Sequence, residues 1–156
     1  MPDTTGETPY GLEECKMLNE IVLNKLKSFF EKNPVALGQP TLPNEITLIE
    51  NSLNKALDED FKQFTSTFGG CAVRDALIYG IHNSEFLGDE TIIELNKNMS
   101  QYLDDISYHL IIGIDGSGNP IYINDAKAIM LYDHDVNEEV MLSDSFENYL
   151  NDLLDR

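Results

Sequence analysis

The sequence has no apolar run of twenty residues, and its opening residues, MPDTTGETPYG, hold neither a basic stretch nor the apolar core of a secretion signal. No segment therefore directs the chain across or into a membrane. Cysteine is scarce. Cys15 falls in a helical pattern and Cys71 at an expected strand start, and the two have no metal-type spacing. Free thiols suit a reducing compartment, so a cytoplasmic location is expected. Positive charge is in short supply too: 10 Lys and Arg stand against 28 Asp and Glu, a net charge of −18 over 156 residues. The imbalance is uneven, since from Asp75 onward 17 acidic residues face only Lys97, Lys127 and Arg156, a net of −14. Phosphate binding relies on Lys and Arg releasing counterions, which argues against nucleic acid as a direct ligand. Such a surface favours a basic protein as partner, through steering that raises the association rate.

Motifs for ligands and catalysis are missing as well. The stretch LIIGIDGSGNPIYIN, Leu110 to Asn124, places small polar residues between two apolar runs. A calcium loop would need glycine at position 6 and glutamate at position 12, where Pro120 and Ala126 stand. A phosphate loop would need its glycines to open a helix, but PIYIN alternates like a strand. The stretch reads as a β-hairpin whose Asp-Gly and Gly-Asn pairs supply the positive φ angles of a tight reversal. Asp133-His134-Asp135 has the residue types of a metal or proton-relay site, yet neighbours on a strand point to opposite faces, so a solvated acidic turn is expected. Ser117 and Ser143 lack a nucleophile elbow, and Cys71 has no histidine placed near it by sequence; it reads as a small core residue. Neither a catalytic residue nor a metal or other cofactor is expected.

What is present is a succession of patterned segments. Leu18, Ile21, Val22, Leu26, Phe29 and Phe30 recur at helical spacing from Leu12 until Asn33-Pro34, after a leader over residues 1–11 expected to be flexible. A second helix is expected after an Asn44 cap, with Ile46, Ile49, Leu53 and Leu57 on one stripe, and a third carries Phe61, Phe64 and Phe68 up to Gly69-Gly70. There the first glycine suits a helix cap and the second frees the chain to turn. CAVRDALIYGI reads as one strand, residues 89 to 103 as a helix, and YHLIIGI, PIYIN and AIMLYD as three antiparallel strands. The closing SDSFENYLNDLLDR reads as a helix capped by Ser143 or Asp144, with Glu147 completing a capping box. Helices first, strands in the middle and a helix last predict an α+β fold: a single domain over residues 12–156, its central, mostly antiparallel sheet flanked by N-terminal helices and a C-terminal helix.

In this order the segments resemble the SUKH superfamily, the fold of fungal cell-wall-assembly regulators and of many bacterial immunity proteins. The pattern E-I-x-x-x-E is met by Glu45, Ile46 and Glu50. The segment that follows it in the family is met by Leu57, Asp60, Phe61, Lys62 and Phe64, and then by Gly69 and Gly70. The hairpin glycines correspond to Gly113, Gly116 and Gly118, and the closing helix to Ser143, Ser145, Phe146, Tyr149 and Leu150. The similarity spans about residues 42 to 154. Asp58 departs from the family's usual proline, and the helix over 89–103 stands where many members have a shorter connection.

The resemblance implies a non-enzymatic protein-binding module that neutralises a cognate toxin by direct contact. Family toxins are often nucleases, whose surfaces must be basic to hold phosphate. The residues expected to face such a partner are Asp104, Asp105, Asp115, Asp133, Asp135, Glu138 and Glu139, on acidic loops. A regulatory scaffold of the same fold, a metal-dependent hydrolase built on Asp133, His134 and Asp135, and mimicry of nucleic acid by spaced carboxylates are the alternatives. An immunity role predicts a neighbouring gene for a large secreted toxin with a basic C-terminal domain, and the oligomeric state is left open.

Overall fold

The computed structural model describes residues 18–101, 103, 106 and 109–156. The leader expected over 1–11, the start of the first helical pattern at 12–17, and Asp104 and Asp105 lie outside the described residues. Helix α1, Glu20–Lys32, begins at Asn19, whose side chain accepts the Val22 N–H, and buries Val22, Leu26 and Phe30 at four-residue intervals. Helix α2, Pro43–Leu53, starts one residue before the expected Asn44 cap. Pro43 has no N–H to satisfy and its φ is preset for a first turn. The Glu45 carboxylate accepts the Leu42 N–H at 2.9 Å in place of a cap side chain. Asn54, at φ 56°, ends α2, so Leu57 is buried in the connection beyond the helix. Helix α3, Glu59–Phe68, is capped by Asp58 and closed by Gly69, whose N–H reaches Thr65 O.

CAVRDALIYGI forms two strands rather than one. β1, Cys71–Val73, and β2, Ala76–Ile78, pair antiparallel across a two-residue reversal, with Arg74 at φ 58°. Arg-Asp lacks the glycine or asparagine that signals such a turn, which is why the stretch reads as one strand. Helix α4, Ile92–Ser100, is shorter than the expected 89–103 because Thr91 and Glu94 form a reciprocal capping box at its start. Strands β3, Leu110–Ile114, β4, Pro120–Ile123, β5, Ile129–Asp133, and β6, Glu138–Ser143, then form a four-stranded antiparallel sheet in that order. Helix α5, Phe146–Leu154, is capped by Ser145, which accepts the Asn148 N–H at 3.0 Å, and not by Ser143 or Asp144. Glu147 does not close a capping box. Its two oxygens accept the backbone N–H and side-chain amide of Asn19, tying α5 to the start of α1.

The helices meet one another through an aromatic cluster. Phe146 of α5 lies edge-on to Phe61 and Phe64 of α3, with ring centroids 5.4 and 5.5 Å apart, and Phe30 of α1 meets Phe68 at 5.1 Å. Where α3 ends, main chains touch: a Cβ on Gly69 would sit 2.0 Å from Gln39 O, and one on Gly113 would sit 2.1 Å from Leu77 O. These glycines permit close backbone approach, beyond the capping and turning roles expected of them.

Candidate functional site, an acidic end of the sheet

The β3–β4 and β5–β6 turns lie at the same end of the antiparallel sheet, while the β4–β5 turn lies at the other. Two hairpin tips built from polar residues are thereby placed side by side. In the first, Asp115 Oδ1 accepts the N–H groups of Ser117 and Asn119 at 2.9 and 2.8 Å, and Oδ2 accepts the Asn119 amide at 3.1 Å. This shapes DGSGNP into the expected hairpin, although only Gly118 of its two glycines has positive φ. In the second, Asp133 accepts the Asp135 N–H at 3.0 Å, and the Tyr132 hydroxyl donates to Asn137 Oδ1 at 2.9 Å. Asn119 joins the two: buried itself, it accepts the His134 N–H at 3.1 Å and lies against the His134 ring Nδ1.

Asp115, Asp133 and Asp135 are thus gathered at one end of the sheet, and Glu138 and Glu139 continue from them along β6. The last two were expected on a loop; they form the first residues of a strand. Two charged residues followed by three apolar ones do not alternate, which is why periodicity gave no strand there. Glu139 accepts the hydroxyl of Tyr122, a fully buried side chain whose ring stacks on His109 with centroids 5.0 Å apart. Elsewhere Lys25 pairs with Asp155, Lys62 with Glu50 and Glu59, Lys127 with Asp58, and Arg156 with Asp75. Among the described residues no Lys or Arg forms an ion pair with Asp115, Asp133, Asp135, Glu138 or Glu139.

Burial alone would raise the Asp115 carboxyl, but the hydrogen bonds from Asn119 and Ser117 and the nearby His134 outweigh it and hold the group below the usual carboxylate range. The tip therefore stays ionised in mildly acidic solution. Cys71 differs: burial pushes its thiol up to about 12, so it is protonated and unreactive at neutral pH. Among the described residues, no three His, Cys, Asp or Glu side chains cluster to hold a metal ion, and no helix is long and apolar enough to cross a membrane.

With this geometry in place, comparison with known proteins is informative. The sequence profile of the SMI1 / KNR4 family (SUKH-1) matches residues 40–152. The chain belongs to this family. No curated protein matches it at a significant level. In this SUKH-1 chain the two glutamates of the E-I-x-x-x-E pattern bond to main chain: Glu45 to Leu42, and Glu50 to the Leu57 N–H at 2.9 Å. Glu45 also meets His82 Nε2 at 2.7 Å. Ile46, Phe61, Phe64 and Phe146 are buried in the core, Gly69, Gly70 and Gly113 lie at close backbone contacts, and Gly116 has nothing near it.

Sequence reasoning missed Asn119 and Asn96. Asn96 sits on the apolar stripe of α4, is buried, and bonds both the N–H and the C=O of Ile111. The signal was an amide one turn after Ile92 and within the run of apolar residues, on a face that otherwise buries hydrocarbon.

One acidic residue of this SUKH-1 chain opposes the fold. Asp60, in the first turn of α3, has a buried Oδ1 with no hydrogen-bond partner among the described residues. Burial first, then the charges of Asp58, Glu147 and Glu59, raise its carboxyl to about 6. A folded-state value above the unfolded one means that the native protein binds the extra proton, so stability falls as pH rises from about 4 to about 6. Asp60→Asn removes that loss. Discounted for partial exposure, the variant is more stable than the parent by about 1 kcal/mol at pH 7.5, a rise in Tm of about 3 °C that vanishes at pH 4. Thermal scans at both pH values check this; a gap that persists at pH 4 contradicts the assignment.

Proposed function

We propose that this chain is a non-enzymatic immunity module that neutralises a basic toxin domain, of the nuclease type, by covering it with the acidic end of its sheet. The observation that supports the reading is the gathering of Asp115, Asp133, Asp135, Glu138 and Glu139 at one end of the sheet, with no Lys or Arg among the described residues paired to any of them. Like charges held together on a folded surface cost stability, and an opposing surface from a partner relieves that cost. Asp104 and Asp105, expected on the same surface, lie outside the described residues. Of the described groups with reactive chemistry, the Cys71 thiol is buried and protonated, and the His134 ring lies against Asn119.

Calorimetric titration with the basic C-terminal domain of a toxin encoded beside this gene, which the reading requires, checks it. A one-to-one complex with Kd on the order of nanomolar is expected. Absence of both heat and co-elution overturns it in favour of a regulatory role.

A further inference from the structure

The two edges of the four-stranded sheet differ. At β3 the edge is closed. Asn96 Nδ2 donates to Ile111 O at 2.8 Å, Asn96 Oδ1 accepts the Ile111 N–H at 2.9 Å, and the Tyr79 N–H donates to Ile112 O at 2.8 Å. At β6 the situation is reversed: among the described residues, no element other than β5 sends a hydrogen bond to the main chain of Glu138–Ser143. An edge strand turns alternate N–H and C=O groups outward, ready to pair with another chain.

Proteins commonly protect such an edge with lysine, proline or a covering segment. EEVMLS contains neither lysine nor proline. Its one irregularity comes at Leu142, past the run Glu138 to Met141 that pairs in register with β5. The side chains on this run are also uncovered, with Val140 47% and Met141 61% exposed. Val136, in the preceding turn, is 56% exposed as well. A main-chain edge unpaired among the described residues, exposed apolar side chains on both faces and two glutamates therefore coincide on one strand.

We propose that β6 takes up an extended segment of a basic protein as an additional strand, with apolar residues of that segment against Val140 and Met141 and its Lys or Arg beside Glu138 and Glu139. The proposal rests on the basic-partner reading above and adds to it the mode of contact. Main-chain pairing supplies affinity in such an arrangement, and the alternating side chains supply selectivity. Charge selects the occupant. A second copy of this chain would bring two molecules of net charge −18 edge to edge, whereas a basic segment lowers the charge it meets.

The test is amide hydrogen exchange on the full chain in the presence of a capped decapeptide of alternating Lys-Lys and Val-Val pairs, which places both residue types on each face of the added strand. At saturating peptide, the outward-facing amides between Glu138 and Leu142 should exchange at least tenfold more slowly, in an every-other-residue pattern. A decapeptide of alternating Glu-Glu and Val-Val pairs should leave them unchanged. Val140→Lys with Met141→Lys, both at exposed positions, should abolish the protection without moving the unfolding midpoint. Equal protection by the acidic peptide, no protection by the basic one, or slow exchange that appears with rising protein concentration alone would overturn the proposal, the last by making a second copy the occupant. The toxin-neutralising reading is judged separately. A basic toxin domain that binds parent and double variant equally well sinks strand addition and leaves that reading standing; a toxin domain that binds neither, beside a protecting peptide, does the reverse.

Discussion

Combining Asp135→Lys, Glu138→Lys and Glu139→Gln should slow association with the proposed basic toxin domain about a hundredfold at low ionic strength. The choice of residues follows from what each carboxylate does inside the protein. Asp135 has 77% of its side chain exposed and faces only His134, and Glu138 is exposed on the outer strand, so both signs can be reversed without breaking a structural bond. Glu139 must keep an acceptor for the buried Tyr122, which glutamine provides. Asp133 and Asp115 are left intact because each shapes its own turn. Steering acts over a Debye length of about 10 Å at 0.1 M salt, so the parent's association rate falls steeply as salt is added. The triple variant's rate should be nearly flat with salt, and its Tm should stay within about 2 °C of the parent's. Stopped-flow measurements between low and high salt check both; parallel salt slopes would remove the acidic hairpin from the interface.

Asn96→Ala is the substitution with the largest expected effect on folding, a loss of about 4 kcal/mol. The amide is buried and makes three hydrogen bonds to main chain, at 2.8, 2.8 and 2.9 Å, one to Ile92 O and two to Ile111. Truncation strands the N–H and C=O of Ile111 on a closed sheet edge, where each unsatisfied group costs about 1 to 3 kcal/mol. For a chain of this size the Tm falls by about 10 °C or more. Asn96→Asp restores little, because the carboxylate cannot donate to Ile111 O and brings a charge into the core. Urea unfolding of the parent and the two variants measures the cost. An alanine variant that loses under 1 kcal/mol would mean that α4 does not hold the edge of β3.

How far the sequence discloses this architecture follows the range of the forces involved. The helices were legible because Val22, Leu26 and Phe30, or Phe61, Phe64 and Phe68, repeat a period that a single buried face imposes. The DGSGNP hairpin was legible because the glycine conformation required at Gly118 is a local demand. Contacts set by distant residues were not. Glu147 has the spacing of a capping residue, yet Asn19 of α1 offers it two donors and takes it away from α5. Leu57 continues the stripe of α2 by count, but Asn54 turns the chain first. Strand β6 is specified by its pairing with β5, because the run EEVMLS has no period of its own.

The same division applies to the acidic site. Composition marked Asp115, Asp133, Asp135, Glu138 and Glu139 as candidates, and the bulk of the negative charge made a basic partner the natural counterpart. Only the sheet topology brings the two tips together, and only Asn119, read from sequence as part of a turn, fastens one to the other. The open edge of β6 was outside the reach of pattern reasoning altogether, because an edge is defined by which strand fails to arrive.

Growth of cells that express the neighbouring toxin domain, with and without this protein in the same cell, tests the central claim most directly. Neutralisation by direct binding predicts that the parent chain restores growth and that the hairpin triple variant, folded and equally abundant, protects poorly. Cells that die equally with and without the parent chain, while it accumulates folded and intact, would contradict the account.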